Sequence, residues 1–336
     1  MHPSFHPRLV NGPFDDPGLY IPFQFQNRAI LFDLGDITQL SARDILKVSH
    51  IFVTHTHMDH FIGFDHFLRL ILGRDKVIHF FGPEGFIENV RGKLAGYTWN
   101  LLHNYDNHLV LHIHEIHPDR IYSVSLNCRD SFQTDESPRV RARETVLHAE
   151  PALAVSTLRI DHDIPCLGYS MKERFHVNIR KDRLQDLGLA TGPWLQRFKA
   201  ALYLERDPDW KFTAGSNRPD QAEKVFELGK LAAKIARITP GQKISYIADA
   251  GGTAANIDRI IAFVRDSDQL FIEAAFAEKD RAIAIRKNHL TAGQAGTIAG
   301  RANVRQYSLF HYSPRYQGLA EQIEAEAREA YLDSIR

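Results

Sequence analysis

In a chain of 336 residues, the stretch that most restricts the fold is Val-Thr-His-Thr-His-Met-Asp-His, residues 53–60. An apolar run precedes it and an amphipathic one follows. Residues 50–55 read as a short buried strand, so His55 and His57, two apart at its end, aim at one point on the same side. Asp59 and His60 then come from the turn that opens the next helix. Three imidazoles and a carboxylate within six residues suit zinc, which takes nitrogen and oxygen donors held by rigid backbone on either side. A solvated polar loop that happens to be rich in histidine fits poorly between two hydrophobic segments.

The length suits one large α/β domain with insertions or two small ones, and it is ample for a substantial core. Charge is balanced at 41 basic and 41 acidic residues. A neutral total argues against wholesale coating of nucleic acid but leaves room for local basic patches. Eighteen histidines invite a metal reading, whereas the two cysteines, Cys128 and Cys166, have no recurrent spacing and suggest neither a disulfide framework nor a cysteine-rich zinc site. With no apolar run near eighteen residues and no signal-like opening, the expectation is a cytoplasmic protein without a membrane partner.

Strands are expected at 19–25 and 29–34 with a turn at Gln26-Asn27, and a helix at 61–72 from the spacing of Phe61, Phe64, Phe67, Leu68, Ile71 and Leu72. Strand at 77–82, helix at 84–97 and strand at 109–116 continue a layered α/β alternation. His103, His108, His112, His114 and His117 lack regular spacing and a carboxylate companion, so surface or strand positions are expected. Arg139, Arg141 and Arg143 alternate along an extended stretch, the pattern of a charged edge strand. Further strands are expected at 155–160, 243–248, 270–276 and 304–310, and a helix over 220–238. Four of the expected strands therefore deliver a candidate ligand at their ends: His55, His162, Asp249 and His311.

The His-x-His-x-Asp-His pattern resembles the signature of the metallo-β-lactamase superfamily. Leu31-Phe-Asp-Leu-Gly-Asp-Ile-Thr-Gln39, Asp161-His-Asp-Ile-Pro-Cys-Leu-Gly-Tyr169, Ala248-Asp-Ala250, His289-Leu-Thr291 and His311-Tyr-Ser-Pro-Arg-Tyr316 narrow the resemblance to the ribonuclease Z family, endonucleases that trim tRNA 3′ ends. It spans about residues 28–318 in order. The resemblance implies an α/β fold, a single metallo-β-lactamase αββα sandwich over residues 1–336 with two mixed sheets flanked by helices. It also implies two zinc ions, with manganese as the alternative metal. One would sit on His55, His57 and His162, the other on Asp59, His60 and His311, with Asp249 bridging. Asp59 would steer the proton of the attacking water, and His289, supported by Glu273, would protonate the leaving 3′ oxygen. The substrate would be a tRNA precursor, and a homodimer is compatible with the resemblance.

Two departures stand out. The family's small-residue loop with its Arg-Asn pair is not visible at the beginning, and where relatives have His-Glu-Ala-Thr this chain has Ile272-Glu-Ala-Ala275. The second suggests that a partner of the catalytic histidine is missing. Residues 172–209 carry many basic side chains around a Gly-Pro turn, resembling the projecting arm that grips tRNA in the family, with Arg180, Lys181 and Arg183 as candidate phosphate contacts. A charged linker is the alternative, since Asp182, Asp186, Glu205 and Asp207 dilute the positive field. The competing activity is hydrolysis of small phosphodiesters or lactones on the same fold. A redox diiron member would carry a carboxylate at the place of His57, and a metal-free RNA-binding paralogue would lack ligands that this chain keeps.

Overall fold

The computed structural model describes residues 4–24, 26–104, 106–215 and 223–336, without the side chain of His103. The described chain divides into two compact units. The larger holds Phe5–Leu147, Ser156–Ser170 and Lys243–Arg336; the other holds Ser4, His148–Val155 and Met171–Gln242.

Two large sheets organise the fold. The first has eight strands in sequence order: Arg8–Leu9, Leu19–Pro22, Ala29–Phe32, Val48–Phe52, Lys76–Pro83, Leu109–Ile116, Arg120–Asn127 and Arg139–Ala142. Its four middle strands, from Ala29–Phe32 to Leu109–Ile116, run parallel and its margins antiparallel. The second has six, ordered Tyr307–Phe310, Gln269–Glu273, Lys243–Ile247, Ile164–Glu173, Leu153–His162 and Val146–Ala149. Period-two alternation decides what each face meets. Ile51, Phe80 and Leu111 share an apolar cluster with Phe67 and Val90 of the helices Phe64–Ile71 and Phe86–Ala95. On the second sheet Leu270, Ile272 and Ala274 share another with Ile260 and Ile298, from the helices Ala254–Val264 and Ala292–Arg301.

Between the sheets lies an aromatic layer: Phe32 meets Tyr169 at 5.6 Å between ring centroids and Tyr246 at 5.9 Å, and Tyr246 stacks on Phe310 at 5.1 Å. Each fully buried ring contributes about 1.5–3 kcal/mol by leaving water. The tyrosine hydroxyls are satisfied within the layer, that of Tyr169 by donating to the Val53 carbonyl at 2.7 Å. This is the expected αββα sandwich. Helix starts follow capping chemistry: Thr253 caps Ala254–Val264, and Thr291 with Gln294 forms a capping box for Ala292–Arg301.

Several expectations change. The strand expected at 50–55 ends at Phe52. The helix expected at 61–72 is broken into Met58–Phe61 and Phe64–Ile71 by Gly63, where a Cβ would lie 2.1 Å from the Gly35 carbonyl oxygen. Strands Arg120–Asn127 and Ile164–Glu173 and the helix Ala320–Ser334 form without a strong periodic signal in the sequence. The stretch 139–142 is an outermost strand of its sheet, in keeping with its alternating arginines.

The helix expected over 220–238 begins outside the described residues, and the rest is strand Lys224–Glu227, helix Leu228–Ile235 and strand Ala236–Pro240. Pairing overrides helical spacing here: Lys224–Glu227 runs against Lys211–Ala214, and Ala236–Pro240 against Phe175–Ile179. The described residues between 171 and 242 therefore form one folded element with its own core of Leu184, Trp194, Phe198, Phe212, Leu231 and Ile235. The basic segment is more than a charged linker.

Candidate metal centre

The histidine-rich stretch works through its loop, since His55 and His57 both lie beyond the strand Val48–Phe52. A second loop pins this one. The Leu34 amide donates to the His60 carbonyl and the Gly63 amide to the Leu34 carbonyl, both at 2.9 Å. Gly35 permits the approach, because a Cβ there would stand 2.4 Å from the Asp59 carbonyl oxygen. His60 sits in the turn of helix Met58–Phe61, His162 ends the strand Leu153–His162, Asp249 follows Lys243–Ile247 by two residues, and His311 follows Tyr307–Phe310 directly. Asp249 and His311 have φ of 32° and 62°, as does Asp33 nearby at 57°. Non-glycine residues in the left-handed region are uncommon and cluster at functional sites, where the surrounding packing holds them.

All seven residues converge. The Asp249 carboxylate is the hub: Oδ2 lies 3.3 Å from His162 Nε2 and 3.6 Å from His55 Nε2, while Oδ1 lies 3.4 Å from His60 Nε2 and 3.1 Å from His311 Nδ1. Asp59 Oδ2 is 3.1 Å from His311 Nε2 and 3.5 Å from His60 Nε2. The donor atoms fall into two groups, His55, His57, His162 and Asp249 in one, Asp59, His60 and His311 in the other, each within 4.8 Å. His55 Nε2, His60 Nε2, Asp249 Oδ1 and His311 Nδ1 are buried without a hydrogen-bond partner although they lie close together. Buried polar atoms are normally satisfied. Four orphaned lone-pair or donor positions converging on one carboxylate fit metal ions, whose ligands point at a common third body rather than at each other.

Burial and the surrounding imidazoles push His55 down to about 2, which keeps it neutral and its lone pair available. For His60, burial acts downward but the Asp249 and Asp33 carboxylates outweigh it and raise its pKa well above the usual value. This second group sits where positive charge is favoured, by a proton or by a metal cation.

Three supports that sequence reasoning missed set the ring orientations. Asp33, inside the Leu-Phe-Asp-Leu-Gly motif, is fully buried and accepts from His60 Nδ1 at 2.9 Å, Thr54 N at 2.7 Å, Thr54 Oγ1 at 3.0 Å and the Tyr246 hydroxyl at 3.0 Å. Thr54 Oγ1 lies 3.1 Å from His55 Nδ1, and the Asn288 carbonyl 2.8 Å from His162 Nδ1. Each of these rings donates through Nδ1 and turns the Nε2 lone pair to the centre. The signal for Asp33 was an acidic residue ending a wholly apolar strand. Asp33→Asn keeps the shape but gives His60 an amide in place of the carboxylate, and is expected to weaken metal affinity about 10–100-fold, read by titration of the apoprotein with zinc.

Beside this centre, His289 Nδ1 lies 3.0 Å from Glu273 Oε2, and the ring centroid is 5.5 Å from that of His311 and 5.2 Å from that of His162. Glu273 Oε1 accepts from the Ala250 and Leu290 amides, so the carboxylate is fixed on both oxygens. Burial alone would lower the His289 pKa, yet Glu273 outweighs it and lifts the imidazole to about 9. The loss expected at Ile272 does not reach His289: Ile272 faces the helix-side apolar cluster while its strand neighbour Glu273 faces the site.

Arg180 and Lys181 stand at the start of helix Lys181–Asp186 in the smaller unit. Arg180 pairs with Asp182 at 3.2 Å and Arg183 with Asp186 at 3.1 Å, exposed contacts of small energetic weight. His112 and His114 lie on the strand Leu109–Ile116, bonded to Ser125 and Ser123, apart from the two donor groups. His103 lies outside the described side chains.

An αββα sandwich with histidines and aspartates gathered at strand ends is the architecture of a metal-dependent hydrolase of metallo-β-lactamase fold. The metallo-β-lactamase fold protein YhfI from Bacillus subtilis superposes with TM-score 0.53 at 16% identity, covering 97% of this chain and 94% of that one. Human tRNase Z, short form, superposes with TM-score 0.52 at 18% identity, covering 94% and 93%. No protein-family model matches the chain. Ribonuclease Z of Thermobifida fusca is 30% identical over 300 residues, 87% of this chain and 77% of the relative, and that of Deinococcus radiodurans 29% identical over 291 residues, 86% and 83%. The chain belongs to the ribonuclease Z family, and it is an endoribonuclease that depends on metal. Among the described residues no helix is long and apolar enough to cross a membrane.

Proposed function

We propose that this chain is a cytoplasmic dizinc enzyme that removes 3′ trailers from tRNA precursors. His55, His57 and His162 would hold one ion and Asp59, His60 and His311 the other, with the Asp249 carboxylate shared between them. Manganese is the alternative metal. The observation that carries this reading is the set of buried, partnerless ligand atoms around the Asp249 carboxylate. Such paired ions, when bound, supply an acidified water and neutralise charge on the phosphate oxygens.

The chain's own residues do the rest. Asp59, whose side chain is 41% exposed at the mouth of the site, accepts the proton of the attacking water. Burial acts to raise its pKa, but the His311 hydrogen bond and its cationic neighbours outweigh it and hold it at about 2, so it is ionised at neutral pH. His289, oriented by Glu273, delivers a proton to the leaving 3′ oxygen. One metallo-β-lactamase-fold domain carries the arm, which extends from the expected 172–209 to the folded element 171–242 and holds the tRNA body. A homodimer is compatible with this reading.

The deciding experiment is cleavage of a tRNA precursor with a 3′ trailer beside bis-p-nitrophenyl phosphate at matched metal loading. Turnover of the small diester without any precursor cleavage would move the assignment to small-substrate hydrolysis. The arm is tested on its surface, because its helix Trp194–Tyr203 carries the core residues Trp194 and Phe198 and cannot be deleted cleanly. Replacing Arg180 and Lys181 together by Ala is expected to make the log–log salt dependence of precursor cleavage shallower by about 0.7–0.9 for each phosphate that the pair neutralises, while the small diester is unaffected.

A further inference from the structure

A second basic feature lies in the larger unit itself. Arg143, just past the edge strand Arg139–Ala142, and Arg159, on the strand Leu153–His162, line one small cavity with Glu84, His117, Pro165 and Cys166. The cavity adjoins the metal centre, for Cys166 Sγ lies 3.9 Å from His55 Nδ1 and Pro165 follows His162 by three residues. It therefore lies on the His55 and His162 side of that centre.

The charge pattern there is unusual. Arg143 donates to the Pro118 carbonyl at 3.3 Å, and among the described residues neither guanidinium has a carboxylate within ion-pair distance. Burial and then the field of Arg159 depress the Arg143 pKa, so the two cations repel across the cavity. Of the nearby acids, Glu115 bonds His117 Nε2 at 2.7 Å and the Ile87 amide at 2.8 Å, and Glu84, within the cavity lining, faces His117 Nδ1 at 3.8 Å. The two guanidinia outnumber the one carboxylate of the cavity, Glu84, which is turned to His117, and so are complementary to an anion; the planar fork of arginine favours phosphate.

We propose that Arg143 and Arg159 form a subsite for a backbone phosphate of the RNA strand next to the scissile bond. The inference rests on the endoribonuclease reading and adds where the strand runs, past the His55 and His162 side of the centre. The phosphate belongs to the tRNA acceptor end or to the trailer, and the test separates these.

Arg159→Ala, a change at an exposed side chain, is expected to lower kcat/KM for a tRNA precursor about tenfold, mainly through KM, as removal of one charged hydrogen bond would. Its activity on bis-p-nitrophenyl phosphate and its metal content should stay at the wild-type level. Single methylphosphonate substitutions along the precursor should each be read in both proteins. The position whose neutralisation harms the wild type but not Arg159→Ala is the phosphate held, on one side of the cut or the other. Equal loss on precursor and small diester, or an unchanged KM and salt slope on the precursor, overturns the subsite. Direct binding of single-stranded RNA keeps the two readings apart. If wild type binds no better than Arg159→Glu, the subsite is wrong whether or not precursors are cleaved. A binding difference without any cleavage of tRNA precursors supports the subsite and removes only the tRNA assignment.

Discussion

Asp249→Ala is expected to purify without its metal complement and to lose turnover of tRNA precursor and bis-p-nitrophenyl phosphate together, by more than about a thousandfold, roughly 4 kcal/mol of transition-state stabilisation. The magnitude follows from position. Asp249 faces four imidazoles through two oxygens, so its removal breaks both donor groups at once. Elemental analysis and activity should fall in step. His57→Ala, at the exposed side of the first group, should also lose metal and activity, with the ion of the other group retained more readily. Thermal denaturation adds a second readout: metal binding the folded state only, at a thousand times its Kd, stabilises by about 4 kcal/mol, and Asp249→Ala should not gain this on adding zinc. Normal metal loading or turnover in either variant removes the dinuclear assignment.

His289→Ala separates chemistry from assembly. General-acid assistance is worth about 10²–10⁴-fold, and only a poor leaving group needs it. The variant is therefore expected to lose that much on a tRNA precursor, whose leaving group is a ribose 3′ oxygen, and little on bis-p-nitrophenyl phosphate. The pH profile supplies the sign. With its pKa raised to about 9, His289 carries the proton at neutral pH and gives it up as pH rises through that value. Precursor cleavage by the wild type should fall on the alkaline side, at a pH drawn down from 9 by the bound cations. His289→Ala should lack that alkaline limb, whereas the small diester should show none in either protein. Equal responses of the two substrates would make His289 a bystander.

The candidate ligands were largely legible because ligand chemistry is local. The compact stretch 53–60 contributes four of the seven donors, and the other three, His162, Asp249 and His311, could be placed at strand ends because an apolar run followed by a polar ligand is a sequence signal. Strand geometry does not aim His55 and His57, however, contrary to what their spacing suggests. The strand stops at Phe52, and the donors are aimed by a loop that Gly35 and Gly63 allow a second loop to clamp. Such close backbone approach has no periodic signature, since it depends on segments that meet only after folding.

The same distinction runs through the rest of the chain. Sequence alone determined the layered α/β class, which histidines and aspartates are candidate donors and the presence of a basic insertion, because burial patterns and ligand types are written residue by residue. Tertiary structure decided that Asp33 orients His60, since a buried carboxylate can be read as a support only when its four donors are in place. It decided that Ile272 faces away from His289, because alternation along a strand sets the side but only packing says which side is the site. It also turned the helical pattern expected over 220–238 into, among the described residues, two strands and a short helix, as pairing with 211–214 and 175–179 satisfied backbone groups that local propensity would have kept within one helix.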